Sequence, residues 1–207
     1  KTEELPGLPE KLTKEFYVAS EPEYIKKLQD LHAEMTSALS QGSKLAQSLM
    51  SRMYQETAHA KLNSATDLVH HLVSAETPAV VFAHHRVMLD RMQELLSQKL
   101  RVCRIDGSVP LRARHEAVCA FQNGDFDVAV LSMAAAGVGL TLTRACTAFF
   151  LEIPWCPAVL RQCEDRIHRI GQQEKCSICY VLCHDTLDSY VWKTIHRKET
   201  VASRIGQ

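Results

Sequence analysis

Two arginines late in the sequence have the residue type and spacing that suit phosphate chemistry. Gln162, Arg166 and Arg169 recur at i, i+4 and i+7, so one face of a helix would carry all three. Two guanidinium groups one turn apart can bind a triphosphate bidentately, and as arginine fingers they would offset charge developing on a γ-phosphate. Spacing alone nevertheless favours a plain surface helix with an Asp165–Arg169 ion pair, which contributes only about 0.3–0.5 kcal/mol.

A second candidate is the small-residue segment from Ser132 to Thr141, which contains Gly137 and Gly139 and follows a short apolar run. Ligands of open parallel sheets bind beyond the carboxyl ends of the strands, and small residues there let a phosphate or a sugar approach the backbone. A tightly packed turn between a strand and a helix explains the segment equally well, because Gly-x-Gly alone is a weak signal. A complete P-loop occurs nowhere in the sequence, so this chain lacks that route to holding ATP phosphates.

The third candidate is the segment Ile105-Asp106-Gly107-Ser108, which ends a predicted strand before a predicted helix bearing Arg112 and Arg114. Backbone N–H groups and a hydroxyl at the start of a helix suit a phosphate. Capping of the same helix by the Ser108 hydroxyl is an equally good interpretation.

A cluster of cysteines, Cys176-x-x-Cys179-x-x-x-Cys183 followed by His184, superficially suggests zinc. The segment is predicted to be a strand, where Cys176 would point away from the face that carries Cys179 and Cys183. Tetrahedral zinc needs four converging ligands, and no second cysteine pair lies nearby in the sequence. We therefore expect no metal site, and reduced thiols in a chain with no visible secretory signal.

Short apolar runs that alternate with helical patterns must position these candidates. Strands are predicted at residues 79–83, 102–105, 128–131, 147–151 and 178–182. Helices are predicted around Met88, over 110–122, from Pro157 through Ile170 with Gly171 as the stop, and over 186–203. This alternation predicts an α/β fold, a parallel sheet with helices on both faces.

The first part of the chain has a different character. Residues 1–20 are expected to be irregular, because Pro6, Gly7 and Pro9 interrupt them. Apolar residues at helical spacing then predict three helices, beginning near Ile25, Leu45 and Leu62, and Gly42 is a plausible stop for the first of them. Residues 1–74 are therefore predicted to be a helical appendage.

Composition sets the remaining limits. The 207 residues include 24 Lys and Arg, 24 Asp and Glu, and 46% apolar residues, so wholesale disorder is excluded. Zero net charge argues against a free-standing basic nucleic-acid clamp, but it permits a share of a nucleic-acid surface. The apolar stretch 128–153 is broken by glycines and fits two buried strands better than a membrane span. The absence of an initial Met suggests a piece of a longer protein.

Several segments together resemble one known family. Asp165-Arg166-Ile167-His168-Arg169-Ile170-Gly171-Gln172 resembles motif VI of the Swi/Snf-related ATPases of helicase superfamily two. Similar segments stand in the family order: Leu5 to Lys11 (the Leu-Pro-x-Lys exit from the first lobe), Val80 to His85 (motif IV), Arg104 to Ser108 with Arg114 and Phe121 (the next motif), and Leu131 through Thr143 (motif V). The resemblance covers nearly the whole chain.

Within the family, the annealing-helicase branch is the most similar. Phe82-Ala83-His84-His85, Ala134-Ala135-Ala136 and Trp155-Cys156-Pro157 resemble that branch. Its members are ATP-driven translocases on double-stranded DNA that rewind DNA and remodel stalled replication forks. Thr141 stands where many members carry Asn, and Cys156 where many carry Asn or Asp, whereas the arginine pair is intact.

The resemblance implies the second RecA-like lobe of such an ATPase, which acts in DNA repair in the nucleus. It implies an inter-lobe linker and helical protrusion at 1–74, the helicase C-terminal lobe at 75–184 and a brace helix at 185–207. ATP and Mg²⁺ would be held mainly by the first lobe, which this chain lacks. The expected partners are that lobe and double-stranded or forked DNA, with no membrane.

The resemblance also implies roles for individual residues. Arg166 and Arg169 would act as arginine fingers, assisted by Gln162 at the same seam. The residues expected at the nucleotide are Gly137, Gly139 and Thr141. The residues expected at DNA phosphates are His84, Gly107, Ser108 and Ser132.

Two alternatives remain at this point. One is a lobe of an RNA helicase, although such proteins usually show Gly-Arg-x-Gly-Arg where this chain has His168-Arg169-Ile170-Gly171-Gln172. The other is a binding module that keeps the fold and is catalytically silent, although the intact arginine pair speaks against it.

Overall fold

The structure, a computed structural model, describes residues 8–40, 45–137 and 139–205, with side chains through residue 196. The strands are β1 (Lys11–Val18), β2 (Ala79–Ala83), β3 (Val102–Ile105), β4 (Val128–Ser132), β5 (Thr147–Phe150) and β6 (Cys176–Cys183). The helices are α1 (Pro22–Ser40), α2 (Leu45–Ala60), α3 (Leu62–Leu72), α4 (Arg86–Leu96), α5 (Leu111–Asn123), α6 (Pro157–Glu164) and α7 (Leu187–Ile205). A short 3₁₀ turn covers Ala135–Gly137.

The strands form one sheet in the order β1-β6-β5-β2-β4-β3, and every neighbouring pair is parallel. All side chains of β2 and β4 are buried, because these apolar runs lie at the centre of the sheet with helices on both faces. The predicted α/β fold is confirmed. We call the edge where the strands begin the amino edge and the edge where they end the carboxyl edge.

Each face of the sheet has its own apolar layer. On one face the rings of Phe82, Phe150 and Tyr180 pack against one another across β2, β5 and β6, with centroids 5.0 and 5.1 Å apart. Helices α1, α2, α5, α6 and α7 contribute to this layer. On the other face, Val81 and Phe149 pack under α3 and α4.

The expectation that residues 1–20 are irregular is wrong for Lys11–Val18. This segment forms β1 and pairs with β6 in register from Lys11 opposite Cys176 to Val18 opposite Cys183. Its first five side chains are exposed, so backbone pairing rather than apolar burial makes it a strand. The three helices predicted after it are confirmed as α1, α2 and α3. The predicted stop at Gly42 lies outside the described residues.

A buried ion pair joins these helices to the sheet. Lys61, between α2 and α3, is fully buried and its Nζ donates to Asp188 Oδ2 at 2.6 Å and to Val181 O at 2.9 Å. Asp188 Oδ2 also accepts the Cys183 N–H at 3.0 Å. Removing one partner of such a pair leaves an uncompensated charge, at a cost of about 3–5 kcal/mol. The α2–α3 junction is therefore fixed to the end of β6 and the start of α7.

The predicted helix from Pro157 through Ile170 is too long. α6 ends at Glu164, and Ile170 is exposed. A continued helix would direct the Arg166 carbonyl to the N–H of Ile170, but that carbonyl accepts the N–H of Leu142 at 2.9 Å. A long-range hydrogen bond thus replaces the helical one.

Capping of α5 by Ser108 is also wrong. The residue at the N-cap position is Pro110, with no side-chain capping bond, and α5 begins at Leu111. At its other end α5 stops at Gly124, whose φ of 94° lies in the left-handed region that suits glycine.

The apolar stretch 128–153 contains β4 and β5, as predicted. No helix among the described residues is long and apolar enough to cross a membrane. The cysteine-rich segment forms β6, with Cys176 and Cys179 in the two opposite apolar layers. Within the described ranges, no three His, Cys, Asp or Glu side chains are grouped to hold a metal ion.

Candidate nucleotide and DNA sites

The arginine turn, residues 165–171 between α6 and β6, lies at the amino edge of the sheet. Here Arg169 Nη1 donates to Thr141 Oγ1 at 3.0 Å, and the Arg166 carbonyl accepts the Leu142 N–H. The structure therefore brings the predicted arginine fingers together with Thr141, the end of the small-residue segment. Gln162 stays on α6, where it is exposed, so the three do not share one helical face.

Arg166 has an unused donor. Its Nη1 makes a long hydrogen bond of 3.4 Å to Leu140 O, and its buried Nε has no hydrogen-bond partner among the described residues. A buried N–H without a partner costs about 1–3 kcal/mol. A phosphate oxygen is the acceptor that a guanidinium fork matches best, so the site fits an anionic ligand.

The last residue of α6 anchors the arginine turn to two strands. The Glu164 carboxylate accepts the Lys11 ammonium at 2.6 Å through Oε2 and the Tyr180 hydroxyl through Oε1. In the turn itself, His168 Nε2 donates to Pro9 O at 2.8 Å. The Leu-Pro-x-Lys segment is thereby tied to the arginines, although its residues 5–7 lie outside the described part of the chain.

Gln172 braces the turn from inside. Its buried Nε2 donates to Ala145 O at 2.8 Å and to Ile167 O at 3.0 Å, while Oε1 accepts the N–H groups of Gln173 and Glu174. Gln172 belongs to the motif that the sequence presents, but its role and that of Glu164 are visible only in the structure. Their partners lie on distant segments, and residue spacing carries no signal of such contacts.

The small-residue segment crosses from one edge of the sheet to the other. It begins at Ser132, the last residue of β4, and ends at Thr141 beside the arginine turn. The segment was expected to lie beyond the carboxyl ends of the strands. Ser132 lies there, but Thr141 lies at the amino edge. An added Cβ at Gly137 or Gly139 would meet nothing within 4 Å, and Gly139 has a φ of +53°. The backbone here is open to a close approach.

Ser132 is largely enclosed at the carboxyl edge. Its side-chain oxygen accepts the N–H of Ala135 at 3.2 Å and so begins the 3₁₀ turn. The residue is 8% exposed. Any contact of Ser132 with a ligand must therefore compete with this local hydrogen bond.

Two histidines follow β2 at the same edge. The N–H groups of His84 and His85 donate to Glu152 Oε2 at 2.7 and 2.9 Å, and His85 Nδ1 pairs with Oε1. Burial disfavours the Glu152 carboxylate, but the His85 hydrogen bonds hold its pKa below the usual range. The Tyr54 ring packs against both histidines, with centroids 5.1 and 4.8 Å away. Partial burial lowers the pKa of His84, so its ring is neutral at pH 7.

Gly107 and Ser108 occupy a turn shaped by Asp106, after β3. Asp106 Oδ1 accepts the Ser108 N–H at 2.8 Å and its hydroxyl at 2.6 Å, and Oδ2 accepts Arg104 Nε at 2.6 Å. Gly107 is exposed and its carbonyl accepts Arg114 Nη2 at 3.2 Å. Because parallel strands end on one side, His84, Ser132, Gly107 and Ser108 share the carboxyl edge, opposite the arginine turn.

Comparison with known proteins gives the class of this chain. The family described as the helicase conserved C-terminal domain matches residues 60–171, and the chain belongs to it. Two solved structures share the fold: the C-terminal part of the Fun30 ATPase domain (TM-score 0.73, 16% identity, 90% of this chain and 89% of that one) and the Sulfolobus solfataricus SWI2/SNF2 ATPase core in complex with double-stranded DNA (0.75, 18%, 93% and 45%).

Curated relatives narrow the class to one branch. The mouse DNA annealing helicase and endonuclease ZRANB3 is 38% identical over 97% of this chain. A Drosophila melanogaster SWI/SNF-related regulator of chromatin, subfamily A-like protein 1, is 36% identical over 76% of it. The chain has the fold of the second RecA-like lobe of Swi/Snf-related ATPases, and its sequence is similar to the annealing-helicase branch. It spans about a fifth of the length of these relatives, 20% and 21% respectively.

Proposed function

We propose that this lobe belongs to an ATP-dependent translocase and annealing helicase that acts on double-stranded and forked DNA in DNA repair, in the nucleus. The relatives named as DNA annealing helicases and the double-stranded DNA in the Sulfolobus complex support the proposal. The observation that carries it is the pairing of Arg169 with Thr141 beside the unpartnered Nε of Arg166.

Arg166 and Arg169 act as arginine fingers in this proposal. ATP supplies the phosphoanhydride bond and is held, with Mg²⁺, mainly by the first lobe. Thr141 orients Arg169, and the Leu142–Arg166 backbone bond fixes the turn, so both guanidinium groups are positioned before the lobes meet. Gln162, exposed on α6, contacts the same seam, and Gly137 and Gly139 leave room for the nucleotide.

The carboxyl edge is proposed to contact DNA phosphates. Neutral His84 donates a hydrogen bond there, and Gly107, Ser108 and Ser132 allow close approach of the phosphate backbone. The segment from Ser132 to Thr141 links this edge to the arginine turn, so a shift caused by DNA is transmitted to Arg169. The division into residues 1–74, 75–184 and 185–207 as linker and protrusion, lobe and brace helix is part of the proposal.

ATP hydrolysis by the protein that contains both lobes tests the proposal. Arg169→Ala and Arg166→Ala are each expected to lower DNA-stimulated kcat by 10³-fold or more, since loss of an arginine finger costs roughly 10³–10⁵ in rate. Arg52→Ala is the matched control, because Arg52 is exposed on α2. Its kcat should equal that of the unaltered protein.

Forked DNA, plain duplex, single strands and RNA are compared in the same assay. Stimulation by forked or duplex DNA that disappears in Arg169→Ala supports the motor and the finger assignment together. Stimulation by RNA alone would instead indicate an RNA helicase. No turnover with any of these nucleic acids would indicate a silent binding module.

A further inference from the structure

Two thiols lie side by side where β5 and β6 begin. The register pairs Thr147 with Ser177, and the Ser177 N–H donates to Cys146 O at 2.8 Å, so Cys146 lies beside Cys176. Neighbouring strands are about 4.8 Å apart, and a disulfide needs Cα atoms about 4.4–6.8 Å apart. The backbone therefore holds the two residues at a separation that a disulfide can bridge.

The two cysteines differ in access. Cys146 is half-buried, whereas Cys176 is fully buried, with its Sγ 3.9 Å from Ile167 O and 3.8 Å from Glu174 O. Burial, and then the neighbouring charge of Cys146, raise the pKa of Cys176 to about 11. A dissolved reagent therefore reaches Cys146 first, while Cys176 stays a protonated thiol at its side.

Cys146 and Cys176 lie next to the residues that hold the arginine turn in place. Ile167 O, near Cys176 Sγ, also accepts Gln172 Nε2, and the same amide donates to Ala145 O, one residue before Cys146. A bond between the two sulfurs would draw Cys176 away from Ile167 O and move Ala145 with Cys146. The hydrogen bonds from Gln172 to Ala145 O and Ile167 O would be distorted. The turn that carries Arg166 and Arg169 would then shift.

We propose that Cys146 and Cys176 form an oxidation site that closes to a disulfide under hydrogen peroxide and displaces the arginine turn. The Cys146 thiolate attacks the peroxide, the O–O bond breaks, and the departing oxygen leaves as water after taking a proton; Cys146 becomes a sulfenic acid. Cys176 sulfur then attacks Cys146 sulfur, the S–O bond breaks, and a second water leaves with the Cys176 proton. Two electrons pass from the thiols to the peroxide, and a dithiol reductant reverses the bond by exchange.

Mass mapping of the folded, two-lobed protein after treatment with hydrogen peroxide tests the site. The expected product is a peptide pair linked through Cys146 and Cys176, lighter by two hydrogens and absent after dithiothreitol. Cys176→Ser should stop at the sulfenic acid, which dimedone captures on Cys146. Cys119→Ser, at an exposed cysteine on α5, is the matched control and should still form the link. Dimedone capture on Cys146 of the unaltered protein with no linked peptide, or a link from Cys146 to another cysteine, would overturn the proposal.

The effect on the arginines is measured as ATP hydrolysis and rests on the proposed function. A displacement of about 1 Å in a catalytic group can cost about 10²-fold, so oxidation should lower kcat about 10- to 100-fold. Dithiothreitol should restore the rate, and Cys176→Ser should resist the loss. Formation of the link with an unchanged kcat would refute the displacement of the turn. If the unoxidised protein hydrolyses no ATP, the motor assignment fails, and peptide mapping still decides the thiol site.

Discussion

Asp106 organises the turn after β3, because both of its carboxylate oxygens accept hydrogen bonds. The sequence permits a helix cap at Ser108, but the hydroxyl and N–H of Ser108 turn back and donate to Asp106 Oδ1. Both arrangements satisfy the same hydroxyl within a few residues. Residue spacing alone therefore could not distinguish the helix cap from the local turn. The structure has the local turn, in which Ser108 donates to Asp106.

This carboxylate gives a prediction about acid stability. Burial raises the pKa of Asp106, but the Ser108 hydrogen bonds and the Arg104 ion pair together lower it to about 2. Because this value lies below the unfolded value of 3.8, the ionised carboxylate stabilises the fold above about pH 4. Its contribution of about 2 kcal/mol is lost as the pH falls from about 4 through 2.

Asp106→Asn should therefore lower the free energy of unfolding by about 1–2 kcal/mol at pH 7 and flatten its decline between about pH 4 and 2. Urea unfolding across that range measures both effects. Asp125→Asn serves as the control, because Asp125 is exposed in the turn after α5. Superimposable acid profiles for Asp106→Asn and the unaltered protein would refute the role of this carboxylate.

Secondary structure was predictable where apolar burial specifies it. β2 and β3 match their predicted bounds, and β4 differs by one residue, because their side chains form the core. β1 was missed, since it is an edge strand whose first five side chains are exposed and whose backbone bonds to β6 carry no sequence pattern. The end of α6 was missed for a similar reason, because the bond from Leu142 to Arg166 joins distant segments.

The next prediction concerns the arginine turn between α6 and β6, which the side chain of Gln172 supports. Gln172→Ala removes the partners of four backbone groups, those of Ala145, Ile167, Gln173 and Glu174. At about 0.5–1.5 kcal/mol for each hydrogen bond, the free energy of unfolding should fall by roughly 2–6 kcal/mol. Urea unfolding measures this loss.

Gln173, the next residue along the chain, provides the control for Gln172→Ala. Gln173→Ala removes a side chain of the same size that is exposed, so it should change stability by less than about 0.5 kcal/mol. In the two-lobed protein, Gln172→Ala should also lower kcat, because the arginine turn loses its brace, whereas Gln173→Ala should not. Equal effects of the two variants would show that the turn holds its position without Gln172.

On the scale of the whole molecule, Thr141 with the arginine turn and the candidate DNA residues lie at opposite edges of one sheet. The sequence resemblance indicated the lobe and proposed both residue sets, but it could not separate the two edges. That separation depends on the path of the segment from Ser132 to Thr141, whose small residues favour no regular element that would fix a direction. The segment begins with the 3₁₀ turn at one edge and ends with the hydrogen bond from Arg169 to Thr141 at the other edge.

In the proposed function, the lobe depends on a partner lobe for catalysis. Arg166 and Arg169 can stabilise charge on a phosphate, but the sequence contains no P-loop to hold one. The 207-residue chain alone should therefore hydrolyse ATP at least about 10³-fold more slowly than the two-lobed protein. A steady-state assay at equal concentrations measures the ratio, with urea unfolding of the chain to establish that it is folded. Comparable rates that persist in Arg169→Ala would mean that the chain holds ATP at a site of its own, and the arginine turn would then need a different ligand.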